Sequence, residues 1–95
     1  MGHYPYYVII LKRRLPLSQN EPIYIGPVVK KWRITKGLSQ QELADFCSLS
    51  LKSIHLIEAN KQEPKISTLY ALATALEFEF LDFMREIDHH FKTQG

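Results

Sequence analysis

The sequence predicts an all-α fold of five short helices over residues 25–95, preceded by an extended or β-type arm over residues 1–24. Three observations carry this. From Gly26 onward apolar residues recur at three- and four-residue spacing. Ser39 and Glu42 are placed as a capping box, flanked by Leu38 and Leu43 as a hydrophobic staple. Three of the five prolines (Pro5, Pro16 and Pro22) fall before residue 25, and the breaks after it are short.

The arm reads as strand-forming. Tyr6-Tyr7-Val8-Ile9-Ile10-Leu11 is rich in aromatic and β-branched residues, and Ile23-Tyr24-Ile25 forms a second short strand candidate. Leu15 to Pro22 connects them. A lone two-stranded hairpin is marginal in water, so it needs the rest of the chain or another copy to pair with.

The helices follow in order. Pro27 suits the first turn of helix one, Val29 and Trp32 share a face, and Gly37 is its stop. Ser39 opens helix two, which carries Leu43, Ala44, Phe46 and Cys47 and ends near Ser48. Ser50 caps helix three, with Ile54 and Ile57 on its inner face. Only Ser48 and Leu49 separate helix two from the cap of helix three, so the two cross at a large angle, as in a helix-turn-helix. Asn60 falls in the next loop, where tolerance of positive φ is useful. Helix four follows Pro64 with Ile66, Leu69, Leu72, Ala73 and Leu76, and helix five carries Phe80, Phe83, Met84, Ile87 and Phe91.

Composition bounds the function. The 95 residues are 45% hydrophobic and 23% charged, which is ordinary globular usage and excludes a disordered polymer or a multidomain enzyme. One cysteine allows no internal disulfide and points to a reducing, cytoplasmic setting. No apolar run is long enough for a membrane span, and the run Tyr6–Leu11 has its positive charge after it, not before it as in a signal peptide. The net charge of +2 hides an asymmetry. Residues 1–36 carry seven Lys or Arg against Glu21 alone, whereas residues 37–95 carry five against nine Asp or Glu. The first third is therefore suited to a polyanion, or is simply a solvated basic face.

No constellation for catalysis is present. The four glycines form no phosphate-cradling loop, and Cys47 with His3, His55, His89 and His90 has no metal-ligand spacing, so neither cofactor nor metal is expected. Asp82 and Glu86 read as a solvated face.

Residues 25–84 resemble the lambda-repressor-like, Cro and cI type of helix-turn-helix domain, also called the XRE family. The matching residues are Ile25-Gly26, Val29, Trp32-Arg33, Lys36 through Ala44, Ser50, Ile54, Ile57-Glu58, Lys61, Pro64, Thr68-Leu69, Leu72-Ala73 and Ala75-Leu76. The resemblance implies a DNA-binding regulator, such as a repressor, acting as a homodimer through helix three in the major groove, with helix two braced across the backbone. It implies DNA contacts from Gln40, Gln41, Ser50, Leu51, Lys52, Ser53, His55, Leu56, Asn60 and Lys61. Lys52 would donate to guanine, and Leu51 and Leu56 would touch thymine methyl groups, cover the core edge, or meet a protein instead. Arg33 and Glu58 match a structural ion pair of the family. Cys47 occupies a core position, while Ser48 and Glu77 stand where glycines are common.

Residues 39–65 hold three lysines against four carboxylates. Phosphate affinity then has to come from Lys30, Lys31, Lys36 or from an arm carrying Lys12, Arg13 and Arg14. The same arm could instead pair across a dimer axis, with Phe80, Phe83 and Phe91 as further dimer-face candidates. An antitoxin that binds its operator and a small toxin partner, or an interaction module that has lost DNA, are the alternative functions.

Overall fold

The computed structural model describes residues 21–94, and among them there are five α-helices and no strand. They are α1 (Gly26–Thr35), α2 (Gln40–Cys47), α3 (Leu51–Glu58), α4 (Ile66–Ala75) and α5 (Phe80–Gln94). The expected strand Tyr6–Leu11 lies outside the described residues. The expected strand Ile23–Ile25 does not form. Ile23 donates its N–H to the Glu63 carboxylate at 2.7 Å, and Ile25 is a buried residue that caps α1.

Local chemistry sets the boundaries. At α2 the capping box is complete: Glu42 N–H donates to Ser39 Oγ at 3.0 Å, and Ser39 N–H donates to the Glu42 carboxylate at 2.8 Å. At α3 Ser50 Oγ accepts from Ser53 N–H at 3.1 Å. Helix α1 starts behind Ile25, which has no side-chain acceptor to offer. Its Gly26 N–H is satisfied from the far side of the sequence, by Asn60 Oδ1 at 2.9 Å.

The core is built from Ile25, Val28 and Val29 at the start, Leu43, Ala44 and Cys47 on α2, and Ile54 and Ile57 on α3. Leu72, Ala73 and Leu76 on and just after α4, with Phe83 and Ile87 on α5, complete it. Helix α2 packs on α3 and α4, α1 packs on α3 and α5, and α4 packs on α5. Trp32 ties α1 to α5, with its indole N–H on Glu86 at 3.0 Å and its ring edge-on to Phe78 at 5.1 Å. Among the described residues no helix is long and apolar enough to cross a membrane.

Two of the apolar residues on the predicted helices lie outside the core. Phe46 is 64% exposed and Ile66 is 67% exposed. Each step of a helix turns about 100°, so Phe46 falls well to the side of the buried row Leu43, Ala44 and Cys47. Ile66 starts α4 one turn ahead of the residues that meet the core. Conversely Phe83 is fully buried, which removes it from the candidate dimer face, while Phe80 and Phe91 are half-buried.

Among the described residues three non-glycine residues hold positive φ: Ser48 at 56°, Asn60 at 58° and Glu77 at 65°. For Ser48 and Glu77 this accounts for the glycines usual there, since an L-residue in the left-handed region costs about 1–2 kcal/mol. Glu77 is held by Lys36, whose ammonium lies 2.9 Å from its carboxylate and lowers its pKa below the ordinary carboxylate range. That small contribution is present at neutral pH and fades as pH falls through the lowered value. Cys47 is 7% exposed, and burial pushes its thiol pKa up to about 11, so it stays a neutral core residue at pH 7.

Candidate nucleic-acid interface

Helix α3 turns Ile54 and Ile57 into the core. At about 100° per residue, Lys52 then points directly away, flanked by His55 and Leu56, with Leu51 and Ser53 at the two margins. Exposure agrees: Lys52 and His55 are exposed, and Leu51, Ser53 and Leu56 are half-buried. The Ser53 hydroxyl accepts from the Ser50 hydroxyl at 3.0 Å, so both serines are engaged in the helix cap.

The position of α3 is fixed by one ion pair at its end. Arg33 on α1 grips Glu58 with two hydrogen bonds, Nε to Oε2 at 2.6 Å and Nη2 to Oε1 at 3.1 Å. Its third donor, Nη1, reaches the Leu38 carbonyl at 2.8 Å. The Gln40 amide adds a bond to Glu58 Oε1 at 3.0 Å. Arg33 and Glu58 are 12% and 5% exposed at their side chains. One guanidinium thus joins α1, the α1–α2 turn and the end of α3, and Gln40 brings in the first turn of α2. The ion pair anticipated from the family resemblance is present.

The same end of α3 is sealed against the start of α1. A Cβ on Gly26 would lie 2.4 Å from the Glu58 carbonyl oxygen and 2.5 Å from Asn60 Oδ1, so the two backbones touch here. Asn60 and Glu63, in the loop after α3, hold the chain that enters α1.

The near-neutral charge of residues 39–65 looks different once partners are assigned. Glu42 is committed to its cap, Asp45 to the Gln41 amide, Glu58 to Arg33, and Glu63 to the Ile23 amide. Lys52, Lys61 and Lys65 are exposed and form no ion pair among the described residues. The carboxylates serve the scaffold and leave these ammonium groups available.

The sequence-expected residues therefore separate by position. Lys52, His55, Leu56 and Leu51 share the outward side of α3. Gln40 and Gln41 lie on the first turn of α2, each with its amide donating to a carboxylate of this chain. Asn60 holds α1, which is a role the sequence did not reveal. Lys61 follows in the loop after α3 and is exposed. Lys12, Arg13 and Arg14 lie outside the described residues. The one available signal for Asn60 was an isoleucine at the N-cap of α1, which leaves that helix needing an acceptor from elsewhere.

This arrangement has known counterparts. Residues 29–83 match the model of the helix-turn-helix family, which is more than half of the chain. The chain belongs to the helix-turn-helix family, of the lambda-repressor-like type. Over 51 residues it is 39% identical to the SPbeta prophage-derived uncharacterized HTH-type transcriptional regulator YonR of Bacillus subtilis. That match spans 54% of this chain and 47% of YonR, so this chain covers about half the length of that relative. Among solved structures it is similar to the restriction-modification controller protein C.AhdI from Aeromonas hydrophila. The TM-score is 0.60 at 29% identity, over 68% of this chain and 92% of that one. It is also similar to the controller protein C.Esp1396I, solved as a tetramer with its natural 35 base-pair operator. There the TM-score is 0.65 at 28% identity, over 70% of this chain and 88% of that one. In this helix-turn-helix family member, α2 and α3 are the two helices of the motif.

Proposed function

We propose that this chain is a sequence-specific DNA-binding transcriptional regulator that acts as a homodimer and represses by occupying its operator. The observation that carries the reading is the outward side of α3. It is held by the Arg33–Glu58–Gln40 cluster and offers Lys52 and His55 where a major-groove helix would meet base edges. The N-terminus of α2, with its positive partial charge, suits a phosphate beside it. Lys61 and Lys65 add charge, and Lys12, Arg13 and Arg14 of the arm supply further phosphate contacts. The relatives support the reading by name, one being a transcriptional regulator and another a controller solved on its operator.

The dimer forms through α4 and the start of α5. Ile66, Tyr70 and Leu81 are 67%, 57% and 67% exposed, and the Tyr70 ring stacks on Phe80 at 4.2 Å. Large apolar side chains grouped on one face in this way suit a protein contact. A two-fold dimer that reads successive major grooves needs its recognition helices about one DNA turn apart, ~34 Å.

Selection of bound duplexes from a random pool at fixed moderate salt tests both statements. The expected product is a palindromic motif whose half-site centres are about 10 base pairs apart. A Tyr70→Glu variant that keeps its helical content should select half-sites without the palindrome. Failure of the parent protein to enrich any motif would end the proposal.

A further inference from the structure

We infer that Leu51 and Leu56 read the 5-methyl groups of thymine, so that half of the base recognition by α3 is apolar. The inference rests on the DNA-binding reading above and specifies what its recognition helix recognises. The starting point is how little polar capacity α3 offers outward. Ser53 and Ser50 bond each other and the helix cap. Glu58 is bound to Arg33 and Gln40. Ile54 and Ile57 are in the core. What remains on the outward side, besides the Ser53 hydroxyl proton at its margin, is one ammonium, Lys52, one imidazole, His55, and two half-buried leucines.

Their spacing matters. Leu51 and His55, and likewise Lys52 and Leu56, are four residues apart, so each leucine is stacked along the helix with one polar group. The outward side is two parallel rows, each with one apolar and one polar member. In the major groove the thymine methyl is the one apolar group presented by a base edge, and it distinguishes thymine from every other base there. Two leucines flanking a lysine therefore match a half-site with thymines on both sides of a guanine, whose O6 and N7 accept from Lys52. A second protein seated on the same leucines would need a continuous apolar surface. The exposed Lys52 and His55 interrupt it.

The test removes the methyl and nothing else. Starting from the selected operator, each thymine is replaced in turn by deoxyuridine and the dissociation constant is measured for the parent protein. At two positions of each half-site the affinity should fall about fourfold, the factor that burial of one methyl-sized group provides. With Leu51→Ala the deoxyuridine penalty should vanish at one of these positions, and with Leu56→Ala at the other. Both variants keep the buried core intact, and their thermal melts establish that they are folded. Tight operator binding with less than a 1.5-fold change at every deoxyuridine would overturn the inference while leaving the DNA-binding reading standing. Penalties that persist unchanged in both leucine variants would overturn it as well. If no duplex is selected at all, the functional reading falls first. Loss of a protein partner in the leucine variants, with operator affinity unchanged, would assign these leucines to a protein contact instead.

Discussion

Arg33→Ala is expected to destabilise the domain by about 3–5 kcal/mol, the usual cost of stripping one partner from a buried ion pair. Glu58, 5% exposed at its side chain, would keep only the Gln40 amide, and the Leu38 carbonyl would lose its guanidinium donor. For a domain of this size each kcal/mol moves Tm by roughly 4–8 °C, so the melt should fall by at least about 12 °C. Arg33→Lys should recover only part of this, because an ammonium cannot reproduce the two-pronged grip on Glu58 together with the bond to Leu38. Replacing both partners, with Arg33→Met and Glu58→Leu, should recover most of it, since no charge is then left buried alone. Calorimetric melts of the four proteins check the series. An Arg33→Ala melt within about 2 °C of the parent would mean the pair is a surface contact in solution, with the small worth such contacts have.

Gly26→Ala should be the next most damaging single change, at roughly 2–3 kcal/mol, the upper part of the range for forcing a methyl into filled space. The added carbon would meet the Glu58 carbonyl oxygen at 2.4 Å. That atom belongs to the backbone, so it cannot rotate away as a side chain could. The end of α3 would have to move off α1, and the Asn60 bond to Gly26 N–H would be strained in the same step. Tm should drop by roughly 10–20 °C at 4–8 °C per kcal/mol. Asn60→Ala probes the contact from the other side and should cost about 1 kcal/mol, as loss of a helix N-cap does. The check is urea unfolding with the slope compared across variants. An unchanged midpoint for Gly26→Ala would show that the two backbones are not in contact.

These two sites also show what a sequence carries openly and what it hides. The capping box and staple of α2 were legible because all their partners lie within six consecutive residues: Leu38, Ser39, Glu42 and Leu43 announce themselves together. The order and extent of the five helices were legible for the same reason, through spacing and through Pro27, Gly37 and Pro64. The Arg33–Glu58 pair spans 25 positions, and only the family resemblance pointed to it. The Asn60 cap on Gly26 spans 34 positions. The resemblance placed Asn60 among the DNA contacts, and the structure adds that its side-chain oxygen caps α1. Phe46 and Ile66 show a different limit. An apolar residue at helical spacing is a core candidate, but whether it is covered depends on how far the neighbouring helix extends, and periodicity is silent on that. The charge balance of residues 39–65 has a limit of its own, since it says nothing of which partner each group has. Counting four carboxylates against three lysines leaves out what each one holds: Glu58 is buried against Arg33, whereas Glu42, Asp45 and Glu63 are exposed and keep their charge while bonding a cap, the Gln41 amide and the Ile23 amide.

For the candidate site, the sequence located the helix and the residues on its outward side. Which groups remain available there followed only from the hydrogen bonds. Ser50 and Ser53 are occupied with each other, and Gln40 and Gln41 each donate to a carboxylate of this chain. The outward chemistry of α3 narrows to Lys52, His55 and two leucines, and the functional proposal rests on these.

The outward side of α3 is proposed to read DNA sequence. The most direct measurement is the ratio of dissociation constants for the selected duplex and a scrambled duplex of equal length, at one fixed salt concentration, for the parent and for Lys52→Ala. The expected ratio is at least about 10³ for the parent, the lower bound for specific regulators, with a fall of tenfold or more in Lys52→Ala and its melt unchanged. A parent ratio near one, or a Lys52→Ala protein that discriminates as well as the parent, would contradict it.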